Sequence, residues 1–193
     1  MAKLKIETVH DFSSRDEWEE WLAQHHASER EAWLRFAKKG TEAVRVSRAD
    51  ALEAALCYGW IDGQAASQDD EYWLQRFTPR TRRSKWSRIN RDAAEELIAA
   101  GMMKPAGLAA VEAAKADGRW DAAYASPANI EVPEDLRAAL RRSPAADTLF
   151  EKLDAQNRYA ILYRIGDAKK PETRARRIEK FVGMLERGER IHG

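Results

Sequence analysis

The sequence predicts an α+β fold: a small N-terminal sheet with helices, followed by an all-helical C-terminal unit. Short aromatic-rich runs of strand length, at 32–37 and 71–77, fall only within the first ~80 residues. From Ser87 onward the apolar residues recur at helical spacing alone. The stretch 118–133, GRWDAAYASPANIEVP, gathers Gly, Pro, Ser and Asn without periodicity and reads as a linker. The expected organisation is an α+β domain over 1–117 that ends in two helices, a linker at 118–133 and a helical unit over 134–193.

Residues 13–25 form the first expected helix, with Ser13 as N-cap, Asp16 and Glu17 in the positive first turn, and Trp18, Trp21 and Leu22 on one face. Ala32–Ala37 is a strand with Leu34 and Phe36 toward the core, and Thr41 to Val46 adds a short second one. Ser47 caps a helix carrying Leu52, Ala55 and Leu56, and Gly59 permits its left-handed end. Trp60–Gln64 begins a strand or turn, and 71–77 is a strand that Thr78-Pro79 terminates. Ser87 and Pro105 open two helices that close at Gly101 and Gly118. Beyond the linker, Pro133, Ser143-Pro144, Asp154 and Pro171 each start a helix, the last with Ile178, Phe181, Val182 and Leu185 on one stripe.

The chain has 193 residues, 34% charged and 44% hydrophobic, in the range of globular proteins. Its 33 Lys+Arg against 32 Asp+Glu leave a net charge of +1, which excludes a uniformly basic polyanion binder. No stretch reaches the ~18 apolar residues that span a bilayer, and MAKLKIETVHDF lacks the apolar core of a signal peptide. The lone Cys57 cannot make an intramolecular disulfide. A cytoplasmic location without membrane insertion is therefore expected.

The neutral total hides a partition. Residues 72–91 hold Arg76, Arg80, Arg82, Arg83, Lys85, Arg88 and Arg91 and no acid, while Asp62, Asp69, Asp70 and Glu71 lie just before them. Guanidinium forks suit phosphate, carboxylate or a nucleic-acid backbone, and Trp73, Phe77 and Trp86 offer planar faces for stacking. Ser87 at a helix start adds free backbone N–H groups. The competing account pairs these arginines with the neighbouring acids and leaves a solvated loop.

The block Cys57-Tyr58-Gly59-Trp60-Ile61-Asp62-Gly63-Gln64 supplies two chemical groups. Cys57 near a helix C-terminus is disfavoured as a thiolate and reads as a buried, unreactive thiol. Asp62 is either an acid/base group or the ion-pair partner of an arginine. Adjacent His25 and His26 point about 100° apart on a helix and mark its end, not a metal site. HExxH, GxxxxGK[ST], GxSxG and paired dinucleotide-binding glycines are all missing, so no metal or cofactor is expected. The last helix is basic, with Arg174, Arg176, Arg177 and Lys180, but Glu172, Glu179, Glu186 and Glu189 dilute it, so its stripe faces protein and not lipid.

Cys57–Gln64, Arg76–Arg80, Ser84–Asn90, Arg-Tyr-Ala-Ile-Leu-Tyr-Arg-Ile at 158–165 and Lys170–Arg174 together resemble the YdeI/OmpD-associated, or bacteriocin-protection, family. The likeness runs from the WxxWL of the first helix to FVGMLERGERIH. It implies a YdhG-like N-terminal part, a helical C-terminal part and a link to stress or bacteriocin protection, with no established reaction or cofactor. The family's motif residues map onto Trp60, Asp62, Gln64, Arg76, Thr78, Pro79, Arg80, Ser84, Trp86 and Asn90.

The expected function is binding of a small anionic ligand in a pocket lined by Trp60, Asp62, Gln64, Arg76, Thr78, Arg80, Ser84, Trp86 and Asn90. One alternative is an enzyme acting on a phosphorylated or carboxylated small molecule, with Asp62 as acid/base and arginines stabilising developing charge. It requires Asp62 beside Arg76 and Arg80. Another is nucleic-acid binding through 76–91, which predicts arginines spread over an open face. A protein partner docking on the C-terminal helices predicts an apolar patch there.

Overall fold

The computed structural model describes residues 6–127 and 129–192, and the chain divides into two compact units, Met1–Ala123 and Tyr124–Gly193. The boundary falls inside the Gly/Pro-rich stretch. Residues 118–123 belong to the first unit, where Trp120 and Ala123 are buried in its core.

The N-terminal unit runs β1 (Val9–His10), α1 (Arg15–His25), β2 (Ala32–Ala37), α2 (Arg48–Cys57), β3 (Trp60–Ser67), β4 (Tyr72–Pro79), α3 (Arg88–Ala99) and α4 (Pro105–Ala116). The four strands make one mixed sheet in the order β1-β2-β4-β3, with β1 parallel to β2 and the other pairs antiparallel. The α+β architecture is as the sequence implies. Strand β1 was not foreseen, because two residues carry no period and their partner lies more than twenty positions away. Thr41–Val46 is not a strand: Val44 stands in solvent and only Val46 turns inward, its N–H donating to the Phe12 carbonyl at 3.0 Å.

Side chains alternate along each strand, so the register assigns the faces. Ala32, Leu34 and Phe36 of β2 oppose Phe77, Gln75 and Trp73 of β4. With Trp60 they face the core formed with Trp18, Leu22, Ala54, Ala55 and Leu56. The helix caps follow local chemistry. Ser14, one position beyond the expected Ser13, accepts from Glu17 N–H, and the Ser13 N–H and hydroxyl both donate to the Glu17 carboxylate. Those bonds, the Ser13 backbone donor first, hold the Glu17 carboxyl below its usual range. Ser47 and Ser87 cap α2 and α3 as expected.

The end of α2 abuts the start of α4. A Cβ on Gly107 would collide with the Cys57 carbonyl oxygen, and Gly59, at φ +73°, would meet the Ala106 carbonyl at 2.8 Å if it carried one. Cys57 is a free, buried thiol, and burial pushes its pKa up.

The C-terminal unit comprises α5 (Glu134–Arg141), α6 (Pro144–Glu151), α7 (Ala155–Gly166) and α8 (Pro171–Glu186). Its core holds Leu136, Leu140, Phe150, Ile161, Ile165, Ile178, Phe181 and Leu185. The segment after α8 is tied down by Asn157, which is only 2% exposed. Its Oδ1 accepts from the N–H of Ile191 at 3.0 Å and of His192 at 2.9 Å, and its Nδ2 donates to the His192 carbonyl at 3.1 Å and to Asp154 at 2.9 Å. No helix among the described residues is long and apolar enough to cross a membrane.

Candidate functional site

The nine singled-out residues do not form one group. Trp60 is 1% exposed and Trp86 2%, so neither offers an open wall. Trp60 packs edge-on to Trp18 and Trp21 and its Nε1 donates to the His26 carbonyl at 3.2 Å. Both indoles serve the core.

Asp62 and Arg76 are kept apart by strand alternation. Asp62 pairs with Phe77 across β3 and β4 and so shares the helix-covered face, whereas Arg76 pairs with Trp33 on the other. Each is neutralised locally. Arg48, from the first turn of α2, donates to Asp62 at 2.6 Å, and Arg76 Nε donates to Glu31 at 2.7 Å. Thr78, opposite Ile61, shares the Arg76 face. Gln64 is exposed within the irregularity between Asp62 and Ala65, and its carbonyl accepts from the buried Gln75 amide.

The residues that do converge lie in the loop between β4 and α3. The Arg80 guanidinium rests 3.5 Å from the centre of the Trp86 ring, and its Nη1 donates to the Lys85 carbonyl at 3.2 Å. Ser84 closes a turn by accepting from Thr81 N–H at 2.9 Å, and the Thr81 hydroxyl accepts from Arg83 N–H. Asn90 sits in the first turn of α3, its N–H donating to Ser87. Trp86 stacks edge-on against Trp120 at 4.8 Å.

Arg119 locks this loop, although nothing near it in the chain signals that role. Its Nη1 donates to the Ser84 carbonyl at 2.9 Å and the Thr81 carbonyl at 3.4 Å, while its Nε is held by Asp117 at 2.8 Å. Burial pulls the Asp117 pKa up, but the bonds from Arg119 outweigh it and hold the carboxyl below its usual range. The result is a fixed turn from which Arg82, Arg83 and Arg88 project into solvent. None of the three makes an ion pair among the described residues. The window's charge is thus partly spent, since Arg76 answers Glu31 and Arg91 answers Asp92.

Two concavities formed by described residues lie on the C-terminal unit. One, of about 740 Å³, runs along α5 and α8 and mixes both signs of charge, with Arg174 Nη2 already donating to Asp135 at 2.9 Å. The other, of about 530 Å³, lies over α7 beside Tyr159 and Tyr163. The i, i+4 tyrosine pair was the available signal for it. The exposed large apolar side chains among the described residues, Val44, Ile89, Met102 and Leu108, all lie in the N-terminal unit.

Residues 10–110 match the family model described as a domain of unknown function, DUF8412. Residues 129–188 match the model described as bacteriocin-protection, YdeI or OmpD-associated. The blocks at 158–165 and 170–174 fall within the second match, and those at 57–64, 76–80 and 84–90 within the first. No curated protein and no solved structure matches the chain.

Proposed function

We propose an anion-binding role for this chain, which belongs through its N-terminal half to the DUF8412 family and carries the bacteriocin-protection, YdeI or OmpD-associated domain in its C-terminal unit. The protein acts in the cytoplasm and contributes to bacteriocin or stress protection by holding an anionic group on the 80–88 loop. The observation that carries this reading is the pre-set turn: Arg119 and the Arg80–Trp86 stack fix the backbone, so Arg82, Arg83 and Arg88 need little ordering to engage a ligand. Arg80, Ser84 and Asn90 shape the turn and the helix start behind them. The role first expected for Arg76 and Asp62 passes to these exposed arginines, because the former are already paired.

Inorganic pyrophosphate tests it. Replacing Arg82, Arg83 and Arg88 together by Ser should weaken pyrophosphate binding by at least about tenfold, since each charge-assisted hydrogen bond contributes about 1.5–3 kcal/mol. Arg76→Ala should leave it unchanged. Unaltered affinity in the triple variant would remove the reading.

The openness of the loop also favours nucleic acid as the anion's source. On that second reading a single-stranded oligonucleotide binds more tightly than pyrophosphate, and log affinity falls with log salt by about 0.7 per neutralised phosphate. A flat salt response would leave only the small-anion reading.

A further inference from the structure

We infer that the cavity over α7 is a separate binding site for a planar aromatic molecule bearing an acidic group. Its volume, about 530 Å³, lies within the 300–1,000 Å³ typical of small-molecule sites. Pro127, Ala160, Tyr159 and Tyr163 supply an apolar and aromatic lining. The two tyrosine rings stand 5.7 Å apart on successive turns of α7, and Tyr124 braces Tyr163 edge-on at 5.2 Å. Such rings prefer another flat ring stacked or edge-on. Burial raises the Tyr159 pKa, with Tyr124 and Tyr163 adding to it, so this phenol keeps its proton as a donor.

The lining also has a sign. Among the described residues it includes Arg164 and His192 and no carboxylate side chain. Arg164 folds back over its own helix, Nη1 donating to the Ala160 carbonyl at 3.1 Å, and makes no ion pair among the described residues. Its remaining N–H groups are the natural seat for a carboxylate or another planar acid. His192 is held at the rim by a buried side chain, because Asn157 bonds both its N–H and its carbonyl. A cationic ligand would be repelled by the Arg164 guanidinium.

Calorimetry on the whole protein with 2-naphthoate, and with 2-naphthylmethylamine as its cationic counterpart, tests the site. The acid should bind at least about tenfold more tightly than the amine, the scale of one charge-assisted hydrogen bond. Arg164→Gln, a surface change that spares the core, should abolish that preference. Ala155→Trp, at an exposed lining position, should block both ligands by filling the cavity. The triple Ser variant at 82, 83 and 88 should bind 2-naphthoate normally, which separates this site from the 80–88 loop. Equal binding of acid and amine, no saturable binding at millimolar concentration, or full affinity in Ala155→Trp would each overturn the inference.

Discussion

Asp62 and Arg76 stand on opposite faces of one sheet, and each is joined to a different partner of opposite charge, Arg48 and Glu31. They act independently. Asp62→Asn and Arg76→Ala should therefore be additive in urea unfolding, with a coupling energy within about 0.5 kcal/mol of zero. A cycle between Arg48 and Asp62 should give about 0.2–1 kcal/mol, as Arg48 is half in solvent. A coupling above about 1 kcal/mol between Asp62 and Arg76 would show that they share a site after all.

The Arg80–Trp86 stack sets the loop. Arg80→Met keeps an apolar stem over the indole and removes the charge, so it should cost about 0.5–2 kcal/mol of stability, the range of a cation–π contact. It should also expose the 81–84 turn to faster amide hydrogen exchange. Unchanged exchange would assign the order of the turn to Arg119 alone.

The contact between α2 and α4 admits no extra atom. Gly107→Ala should destabilise the protein by at least about 1–3 kcal/mol in thermal or urea melts, since backbone must move. Gly183→Ala, inside α8 and meeting only Arg187 Nη1 at 3.5 Å, should instead stabilise by about 0.5–1 kcal/mol. Reversal of either sign would contradict the packing described.

Asn157 is the hinge-pin of the segment after α8. Asn157→Ala should cost about 1–3 kcal/mol by stranding two N–H donors, and should make residues 189–192 readily cleaved by added protease. Resistance equal to the parent protein would mean other contacts hold that segment.

His10, packed against Trp21 at 5.0 Å, has a pKa lowered by burial, with Glu29 opposing and His25 adding to the shift. The unfolded chain therefore binds a proton that the folded one resists. Stability is full above pH about 6.5 and falls as the pH drops from there toward the depressed folded value. His10→Phe should flatten that part of the profile in melts taken between pH 7.5 and 5.

Most helices were legible because their starts are encoded locally. Ser47, Ser87, Ser143 and Asp154 each accept from an N–H three residues on, and Pro105, Pro144 and Pro171 occupy first helical positions. Strand β2 was legible from its aromatic density. The faces of β3 and β4 were not, since they depend on register and on the irregularity between Asp62 and Ala65. For the same reason residues close together in the 57–80 blocks are separated by the sheet onto opposite faces. Arg119 went unread because its grip on the 81–84 turn spans some 35 positions of sequence.

Cys57, whose carbonyl meets Gly107 where α2 abuts α4, carries the chain's only thiol, and that thiol is buried. A thiol reagent such as dithionitrobenzoate can reach Cys57 only when the core around the end of α2 opens. The rate of its labelling under native conditions thus reads the opening of this part of the core directly, with one signal per molecule and no introduced probe.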